Sequence, residues 1–243
     1  MNKHISIVIP TLNEECTLPR LLESLKGTSE CEIILVDGGS TDKTLLLAEK
    51  ANCLTISAPQ GRGRQMNIGA NAASGEILLF LHADTRLPEN FLQLIINTLL
   101  QPNVSAGAFS LKIESDSKRL AMIAWFANLR SRCLSLPYGD QAIFTRRTTF
   151  LTAGGFPEIE IMEDFVFVQN LKKVGSITIL KESVRTSARR WQNIGVLRTT
   201  IINQIIIFGF YLGVQPAKLS YFYRRMRGVQ NKGILQSNHK RKK

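Results

Sequence analysis

Three acidic stretches of the sequence lie next to apolar segments and contain residue types that could do chemistry. Asp37 follows "EIILV", Asp84 follows "ILLFLHA", and Glu163 and Asp164 form a pair shortly before another apolar run. Carboxylates accept hydrogen bonds, ligate hard divalent cations and act as general bases. Acidic residues also begin ordinary turns, so each stretch alone is ambiguous. The elements that position them must decide between the two interpretations.

Three continuous apolar runs predict strands that are buried on both faces of a parallel sheet. They are Ser6–Ile9, Glu32–Ser40 and Gly75–Thr85, and segments with helical spacing separate them at 14–25, 43–51 and 65–73. Alternating strands and helices predict a right-handed wound α/β fold. Ligands bind beyond the carboxyl ends of such strands. We therefore expect residues 11–14, 37–40 and 82–84 to lie along one edge of a crevice.

The second half of the sequence is less regular. It contains a predicted strand at 106–115, a helix at 118–134, a strand with a Gly-Gly turn within 139–156, and a helix that starts near Glu163 and is closed by Gly175. The segment 194–214 is the most apolar, but Arg198, Asn203 and Gln204 interrupt it. Its length is at the lower limit for crossing a bilayer.

Several of these stretches together resemble the family 2 glycosyltransferases. They are "SIVIPTLNEE", "EIILVDGGSTDKT", "GRGRQMNIGANAASGEILLFLHADT" and "GGFPEIEIMEDF", which follow the family's order over about the first 175 residues. The resemblance implies the GT-A fold, a wound and mostly parallel sheet flanked by helices. It also implies inverting, metal-dependent transfer of a sugar from a nucleotide-diphosphate sugar to a small or lipid-linked hydroxyl acceptor.

The resemblance also implies which residues bind the nucleotide. Those at the strand ends are Pro10, Thr11, Asn13, Glu14, Asp37, Gly38, Ser40 and His82. Arg62 and Arg64 lie in a glycine-rich stretch, 61–64, that we expect to be a flexible loop approaching the diphosphate. Asn13 and Glu14 also fit a structural role at the start of a helix.

Asp84 stands where the family has the last acid of its metal-binding Asp-x-Asp motif. One carboxylate, two diphosphate oxygens and water would suit Mn²⁺ or Mg²⁺. His82 replaces the first acid of that motif in this sequence. The replacement predicts a site with less negative charge, a changed metal preference, or an imidazole hydrogen bond to the nucleotide.

The catalytic candidates are Asp164 and Glu163. By resemblance, Asp164 is the general base for the acceptor hydroxyl, although either acid would also suit the N-terminus of a helix. Asp140 is a further candidate at the acceptor site. The stretch "SARRW" resembles the Gln-x-x-Arg-Trp motif of processive members, but Ser187 replaces the Gln, which favours transfer of a single sugar. Arg190 could contact the diphosphate, and Trp191 could stack on the acceptor or belong to the core.

The positive charge of the chain is concentrated near its C-terminus. The formal net charge is +12, yet residues 183–243 contain thirteen Lys and Arg and no acid. We expect a catalytic domain at 1–182, a basic apolar helical extension at 183–229 and a disordered basic tail at 230–243. We expect the extension first to pack on the catalytic domain or to form a homodimer. Peripheral contact with a membrane is the second expectation. A nucleic-acid partner is not expected.

The cysteines and the N-terminus indicate the compartment. Four cysteines without a CxxC pair favour a reducing cytosol, and the start of the chain resembles a strand more than a signal peptide. We therefore expect a cytoplasmic protein, located either free in the cytoplasm or at the inner face of the membrane.

Two alternatives and one narrower resemblance complete the sequence hypotheses. A non-catalytic nucleotide-sugar or membrane-surface binding protein would keep the same fold. A nucleotidyltransferase, which has a similar wound sheet, uses a glycine-rich loop with Arg or Lys near the N-terminus. That class is disfavoured because the corresponding stretch here, "IPTLNEE", contains no glycine. The stretches "LHADTRLP", "YGDQAIF", "MED" and "TSARRW" resemble a subgroup of small bacterial enzymes associated with arsenosugar biosynthesis.

Overall fold

The structure is a computed structural model that describes residues 4–28, 30–189, 191 and 195–226. The described residues up to Ile159 form one compact unit together with Glu163–Ala188. A second unit consists of Glu160–Met162 and the described residues from Arg189 onward.

The first unit contains eight strands and seven helices within the described residues. The strands are β1 (Ile5–Thr11), β2 (Cys31–Asp37), β3 (Leu54–Ser57), β4 (Ile77–Phe80), β5 (Thr85–Arg86), β6 (Val104–Glu114), β7 (Phe144–Arg146) and β8 (Ser176–Ser187). The helices are α1 (Leu18–Ser24), α2 (Thr44–Lys50), α3 (Arg62–Ala72), α4 (Phe91–Leu99), α5 (Lys118–Leu134), α6 (Arg147–Thr152) and α7 (Glu163–Val174), with a 3₁₀ turn at Gly139–Gln141.

All eight strands form one sheet in the order β3-β2-β1-β4-β7-β6-β8-β5. Strands β1 to β4 are parallel to one another, and β7 is antiparallel to β4 and β6. Strand β8 is parallel to β6, and β5 is antiparallel to β8. Two strands therefore run against the other six. The predicted α/β class with a mostly parallel sheet is confirmed.

The central strands are mostly apolar because helices cover both faces of the sheet. All seven residues of β1 are buried. Four phenylalanines, Phe80, Phe150, Phe156 and Phe167, are in mutual ring contact, with centroids 4.0 to 6.2 Å apart. They join β4 to α6 and α7, and so fix α7 and its acidic first turn against the sheet.

The ends of two predicted helices differ from the structure. Helix α1 begins at Leu18, and not near Glu14, because residues 14–17 form a separate turn and Pro19 suits the first turn of a helix. Helix α3 begins at Arg62, since the N–H of Gln65 already donates to the carbonyl of Gly61 over 2.8 Å. The expected flexible loop 61–64 is therefore wrong, because it forms the start of α3.

Five elements of the first unit were not predicted, namely β3, β5, α4, α6 and β8. The expected boundary between residues 182 and 183 falls inside β8, and the first unit extends to Ala188. The division into a catalytic domain and a C-terminal extension stays a prediction.

The second unit contains two helices, α8 (Val196–Tyr211) and α9 (Pro216–Met226), within its described residues. A guanidinium nitrogen of Arg198 donates to the carbonyl of Met226, so the two helices form a hairpin. Among the described residues, none of the helices is both long and apolar enough to cross a membrane. The predicted tail, 230–243, lies outside the described residues.

Candidate functional site

The carboxyl ends of β1, β2 and β3 are aligned with one another. Thr11 pairs with Asp37, and Asp37 pairs with Ser57. Strand β4 continues the edge, because the N–H of Leu81 donates to the carbonyl of Val8 just before the turn at His82. The structure thus brings together the predicted strand ends, including Pro10 and Thr11, on one edge of the sheet.

Asp37 is 2% exposed, and its carboxylate organises the turn that follows β2. One oxygen accepts the N–H groups of Gly39 and Ser40 at 2.9 and 2.8 Å. The other accepts the hydroxyl groups of Ser40 and, at 3.3 Å, Thr11. These donors use the four acceptor positions of a carboxylate. The two backbone donors keep the carboxylate oriented, while either hydroxyl could rotate away and leave an acceptor position for a ligand.

Asn13 and Glu14 fasten the loop after β1 to the loop after β2. The N–H of Asn13 donates to the Ser40 hydroxyl, and the Asn13 side-chain oxygen accepts the N–H of Thr41, both at 2.9 Å. The Glu14 carboxylate accepts the hydroxyl of Thr17 at 2.6 Å. Asn13 has a positive φ of 56° and does not cap α1. The Asn13 side chain therefore links the two loops, whereas the Glu14 side chain bonds within its own turn. Contact of either side chain with a nucleotide stays a prediction.

Gln65 is a site residue that the sequence hypotheses missed. Its side chain is buried, and the amide nitrogen donates to the carbonyls of Thr11 and Val36 at 2.9 and 2.8 Å. If Gly38 carried a Cβ, that atom would lie only 3.1 Å from the amide nitrogen of Gln65, so there is little room for a larger residue at position 38. Gln65 thus holds the ends of β1 and β2 together from α3.

Arg62 and Arg64, in the first turn of α3, both pair with acids on the segment before and at the start of α7. A guanidinium nitrogen of Arg62 lies 3.5 Å from a Glu163 carboxylate oxygen, and Arg64 donates twice to one oxygen of Glu158 at 2.9 and 3.1 Å. Both arginine side chains are nearly half exposed. Their cations could therefore exchange these partners for a diphosphate.

Glu163 is 4% exposed and faces α3 through its contact with Arg62. Burial raises the pKa of the Glu163 carboxyl above its ordinary value, against the lowering effect of Arg62 and together with the negative charge of Asp164. Glu163 therefore links the start of α7 to the first turn of α3 through Arg62. Its predicted catalytic role is not tested by the structure.

Asp164 and His82 both lie next to Gly139. One Asp164 oxygen accepts the N–H of Gly139 at 2.8 Å, and the other accepts the N–H of Phe165 at 2.7 Å. A Cβ built on Gly139 would lie 2.9 Å from Nε2 of His82 and 3.4 Å from Asp164 Oδ2. The end of β4 and the start of α7 therefore share the small space that glycine leaves. The two N–H donors orient the carboxylate and leave lone pairs for an acceptor hydroxyl.

Asp84 follows in the turn after β4 and is partly buried. Its carboxylate accepts a long hydrogen bond of 3.4 Å from the Thr85 hydroxyl, and its backbone carbonyl accepts the N–H of Ser187. No group of three His, Cys, Asp or Glu that could hold a metal occurs among the described residues. One carboxylate with spare lone pairs fits a hard cation whose other ligands come from a diphosphate and water.

The remaining candidates lie further along the chain. Asp140 is partly buried in the 3₁₀ turn beside Gly139. Trp191 is 7% exposed, and no hydrogen-bond partner for its indole N–H is found among the described residues. Its burial favours the core interpretation over stacking on an acceptor. Arg190 lies outside the described residues.

Two named curated relatives match the chain over about a third of their own lengths. A "PGL/p-HBAD biosynthesis glycosyltransferase" of Mycobacterium bovis is 41% identical over 93 residues, which are 35% of this chain and 36% of that protein. The undecaprenyl-phosphate 4-deoxy-4-formamido-L-arabinose transferase of Photorhabdus laumondii is 32% identical over 112 residues, 41% of this chain and 34% of that protein.

Solved structures and a family model complete the comparison. Glucosyl-3-phosphoglycerate synthase of Mycobacterium tuberculosis, solved with Mn²⁺, UDP and glucosyl-3-phosphoglycerate, superposes with a TM-score of 0.60 at 21% identity, over 84% of this chain and 79% of that one. That likeness supports the GT-A fold, so the predicted fold class is confirmed. The model described as "Glycosyl transferase family 2" matches residues 6–153, well over half of the chain. The chain therefore belongs to glycosyl transferase family 2.

Proposed function

We propose that the protein transfers a single sugar from a nucleotide-diphosphate sugar to a hydroxyl acceptor with inversion at the anomeric carbon. The observation that supports this most is the position of Asp164, oriented by the N–H of Gly139 and adjacent to His82 at the end of β4. The carboxylate thereby lies near the turn after β4, which contains His82 and Asp84.

The acceptor oxygen attacks the anomeric carbon from the face opposite the diphosphate. Its proton passes to a carboxylate oxygen of Asp164, the new carbon–oxygen bond forms, and the bond to the diphosphate breaks. Asp37, at the end of β2, would accept hydrogen bonds from the base or ribose. Arg62 and Arg64 would donate to the diphosphate.

Asp84 would hold the divalent cation, with the remaining ligands from the diphosphate and water. When bound, the ion would neutralise the charge that develops on the departing nucleoside diphosphate. The relative solved with Mn²⁺ and UDP supports such an ion, while the choice between Mn²⁺ and Mg²⁺ is a matter for experiment. His82 leaves the site with one acid fewer than the Asp-x-Asp motif would supply.

The acceptor class is proposed from the relatives. The name of the Photorhabdus relative contains undecaprenyl phosphate, a lipid phosphate, which supports a lipid-linked acceptor for this chain. The narrower hypothesis of an arsenosugar pathway rests on motif likeness, and neither curated relative described above is named for that pathway. Transfer assays with a lipid-linked acceptor and with a small water-soluble hydroxyl compound distinguish these two hypotheses.

Asp164→Asn tests the catalytic assignment. Because an amide cannot take the acceptor proton, we expect transfer to slow by at least about a hundredfold while nucleotide-sugar affinity stays within about twofold. Radiolabelled sugar transfer measures the rate, calorimetry the affinity, and NMR of the product its anomeric configuration. Asp116→Asn, at an exposed acid before α5, is the matched control.

Turnover close to that of the unchanged protein in Asp164→Asn would contradict the assignment of the base. A thermal-shift screen of UDP- and GDP-sugars with and without Mn²⁺ identifies the donor, since selective binding stabilises the folded state. Stabilisation by a donor without any release of diphosphate would favour the alternative, a non-catalytic nucleotide-sugar binding protein.

A further inference from the structure

One face of α5 presents large apolar side chains to solvent. The helix packs on the sheet through Leu120 and Ala124, and Ser131 is buried on the same side. Opposite them lie Met122, Trp125, Phe126 and Leu129, each between 43% and 58% exposed. They follow the spacing of a helical stripe. We call these four residues the α5 stripe.

The charged residues of helix α5 itself are all positive. The helix contains Lys118, Arg119, Arg130 and Arg132 and no acid. Lys118 and Arg119 at the N-terminal end and Arg132 near the C-terminal end are exposed. An apolar face with tryptophan and phenylalanine, bordered by cations, is typical of helices that lie in the interface of an anionic membrane.

A second copy of the chain fits this face less well. In a twofold pairing of α5 with itself, each helix meets the same surface of its partner. Cations would then meet cations, because α5 offers no acid to pair with them. A bilayer that contains anionic phospholipid complements both the apolar stripe and its cationic borders.

We propose that α5 docks on an anionic phospholipid surface, with the α5 stripe among the acyl chains and Lys118, Arg119 and Arg132 at the headgroups. Trp125 and Phe126 are the main anchors. Their rings are already in edge contact, with centroids 4.9 Å apart, and both project from the exposed side of the helix.

The end of α5 is tied to the elements that position the candidate base. Arg130 donates to the carbonyl of Leu136 at 3.3 Å, and its guanidinium lies 3.4 Å from the ring centre of Tyr138. Lys172 of α7 donates to the carbonyl of Leu134 at 2.9 Å. Tyr138 immediately precedes Gly139, whose N–H orients Asp164.

Docking of α5 would therefore hold the acceptor side of the site close to the headgroups. This consequence rests on the proposed function, and it favours an acceptor hydroxyl or phosphate that a lipid anchors in the membrane. The membrane contact itself requires no catalysis, so it can be tested separately.

Vesicle binding of the full chain tests the proposal. We expect sedimentation with phosphatidylcholine vesicles that contain phosphatidylglycerol, and little with phosphatidylcholine alone. The double variant Trp125→Ser with Phe126→Ser should bind at least about tenfold more weakly, because two large apolar side chains no longer leave water. Leu46→Ser, an exposed leucine on α2, is the matched control and should bind normally.

A second pair of substitutions tests the charges and guards against a folding defect. Lys118→Glu with Arg119→Glu keeps the α5 stripe but should weaken binding to the anionic vesicles by at least about tenfold. Circular dichroism melts should be unchanged in both double variants. Brominated lipids should quench tryptophan fluorescence of the unchanged protein, through Trp125.

Failure of the unchanged protein to bind the anionic vesicles would overturn the proposal. Normal binding of the Trp125 and Phe126 variant would also overturn it, and would place the contact elsewhere, for example on α8. Either result leaves the glycosyltransferase proposal untouched, since the sugar-transfer assay with a water-soluble acceptor does not depend on vesicles.

Discussion

At the scale of single residues, the amide of Gln65 joins the ends of β1 and β2 at the candidate nucleotide site. In Gln65→Glu an oxygen would face the carbonyls of Thr11 and Val36, which lose their donor. We expect the free energy of unfolding to fall by about 1–3 kcal/mol and nucleotide affinity to fall by about tenfold. Chemical denaturation and calorimetry measure the two effects.

The matched control for this substitution is Gln101→Glu, at an exposed glutamine that follows α4. It should change neither quantity. Nucleotide affinity in Gln65→Glu equal to that of the unchanged protein would show that the bridging amide does not shape the nucleotide site.

The buried carboxyl of Glu163 should make stability depend on pH. Its pKa in the folded protein is raised, chiefly by burial, so the folded state binds this proton more tightly than the unfolded state. Stability from this group is complete below the ordinary glutamate pKa and is lost as pH rises through the raised value. Because glutamine has no proton to lose, Glu163→Gln should not show this loss. The melting temperature of the variant minus that of the unchanged protein should therefore increase as the pH is raised from mildly acidic to neutral.

Parallel melts of both proteins across that range measure the difference. The same comparison with Glu158→Gln, which changes an exposed acid paired with Arg64, should show little dependence on pH. A constant difference between Glu163→Gln and the unchanged protein would contradict the proposed cause.

The residues at the site differ in how readily the sequence predicts them. Asp37, Asp84 and Asp164 stand out because acids directly follow or begin elements with strong apolar patterns. Gln65 does not, since a glutamine in a helix is ordinary and its partners belong to two distant strands. The contact of His82 with Gly139 likewise depends on how β4 and the 3₁₀ turn approach each other.

At the scale of elements, helices with complete amphipathic patterns were predicted best. Both α5 and α7 have the predicted bounds within a residue, and β1, β2 and β4 are found where continuous apolar runs occur. The short strand β3 has no residue that is fully buried, so its sequence lacks that signal. The strand β8 mixes exposed charges with apolar residues, and this weak alternation does not predict a strand.

Helix α3 packs so closely on the sheet that Gly69 has no room for a side chain. A Cβ at this position would lie 2.4 Å from Cγ1 of Val8 and 2.9 Å from Cγ2 of Val36. Alanine normally stabilises a helix relative to glycine, but here the crowding should dominate. We expect Gly69→Ala to lower the free energy of unfolding by about 1–3 kcal/mol, measured by urea denaturation.

Asn71→Ala, on the exposed side of the same helix, separates packing from helix propensity. It should be neutral or slightly stabilising. A stabilising effect of Gly69→Ala would mean that α3 can move away from β1 without cost.

At the scale of the whole molecule, the N-terminal three quarters of the chain and the remainder differ sharply in charge. Residues 1–182 have nearly balanced charges, while the remainder has no acid. The tail hypothesis predicts that removal of residues 230–243, with five cations, leaves the melting temperature unchanged. Affinity for vesicles containing phosphatidylglycerol should fall by at least about tenfold and become less sensitive to salt.

A full-length chain with those five cations replaced by serine controls for length. It should match the shortened chain in vesicle binding. Loss of thermal stability on removal of the segment would contradict the tail hypothesis, because it would show that the segment supports the fold.

The aligned ends of β1, β2 and β3 have a consequence for variation in length. Deleting one residue within β2 would move Asp37 by about 3.3 Å and turn its side chain to the other face of the sheet. Thr11 and Ser57 would then no longer have Asp37 as their neighbour. Insertions and deletions among relatives should therefore collect in the loops that enter these strands, and the strands themselves should keep a constant count of residues.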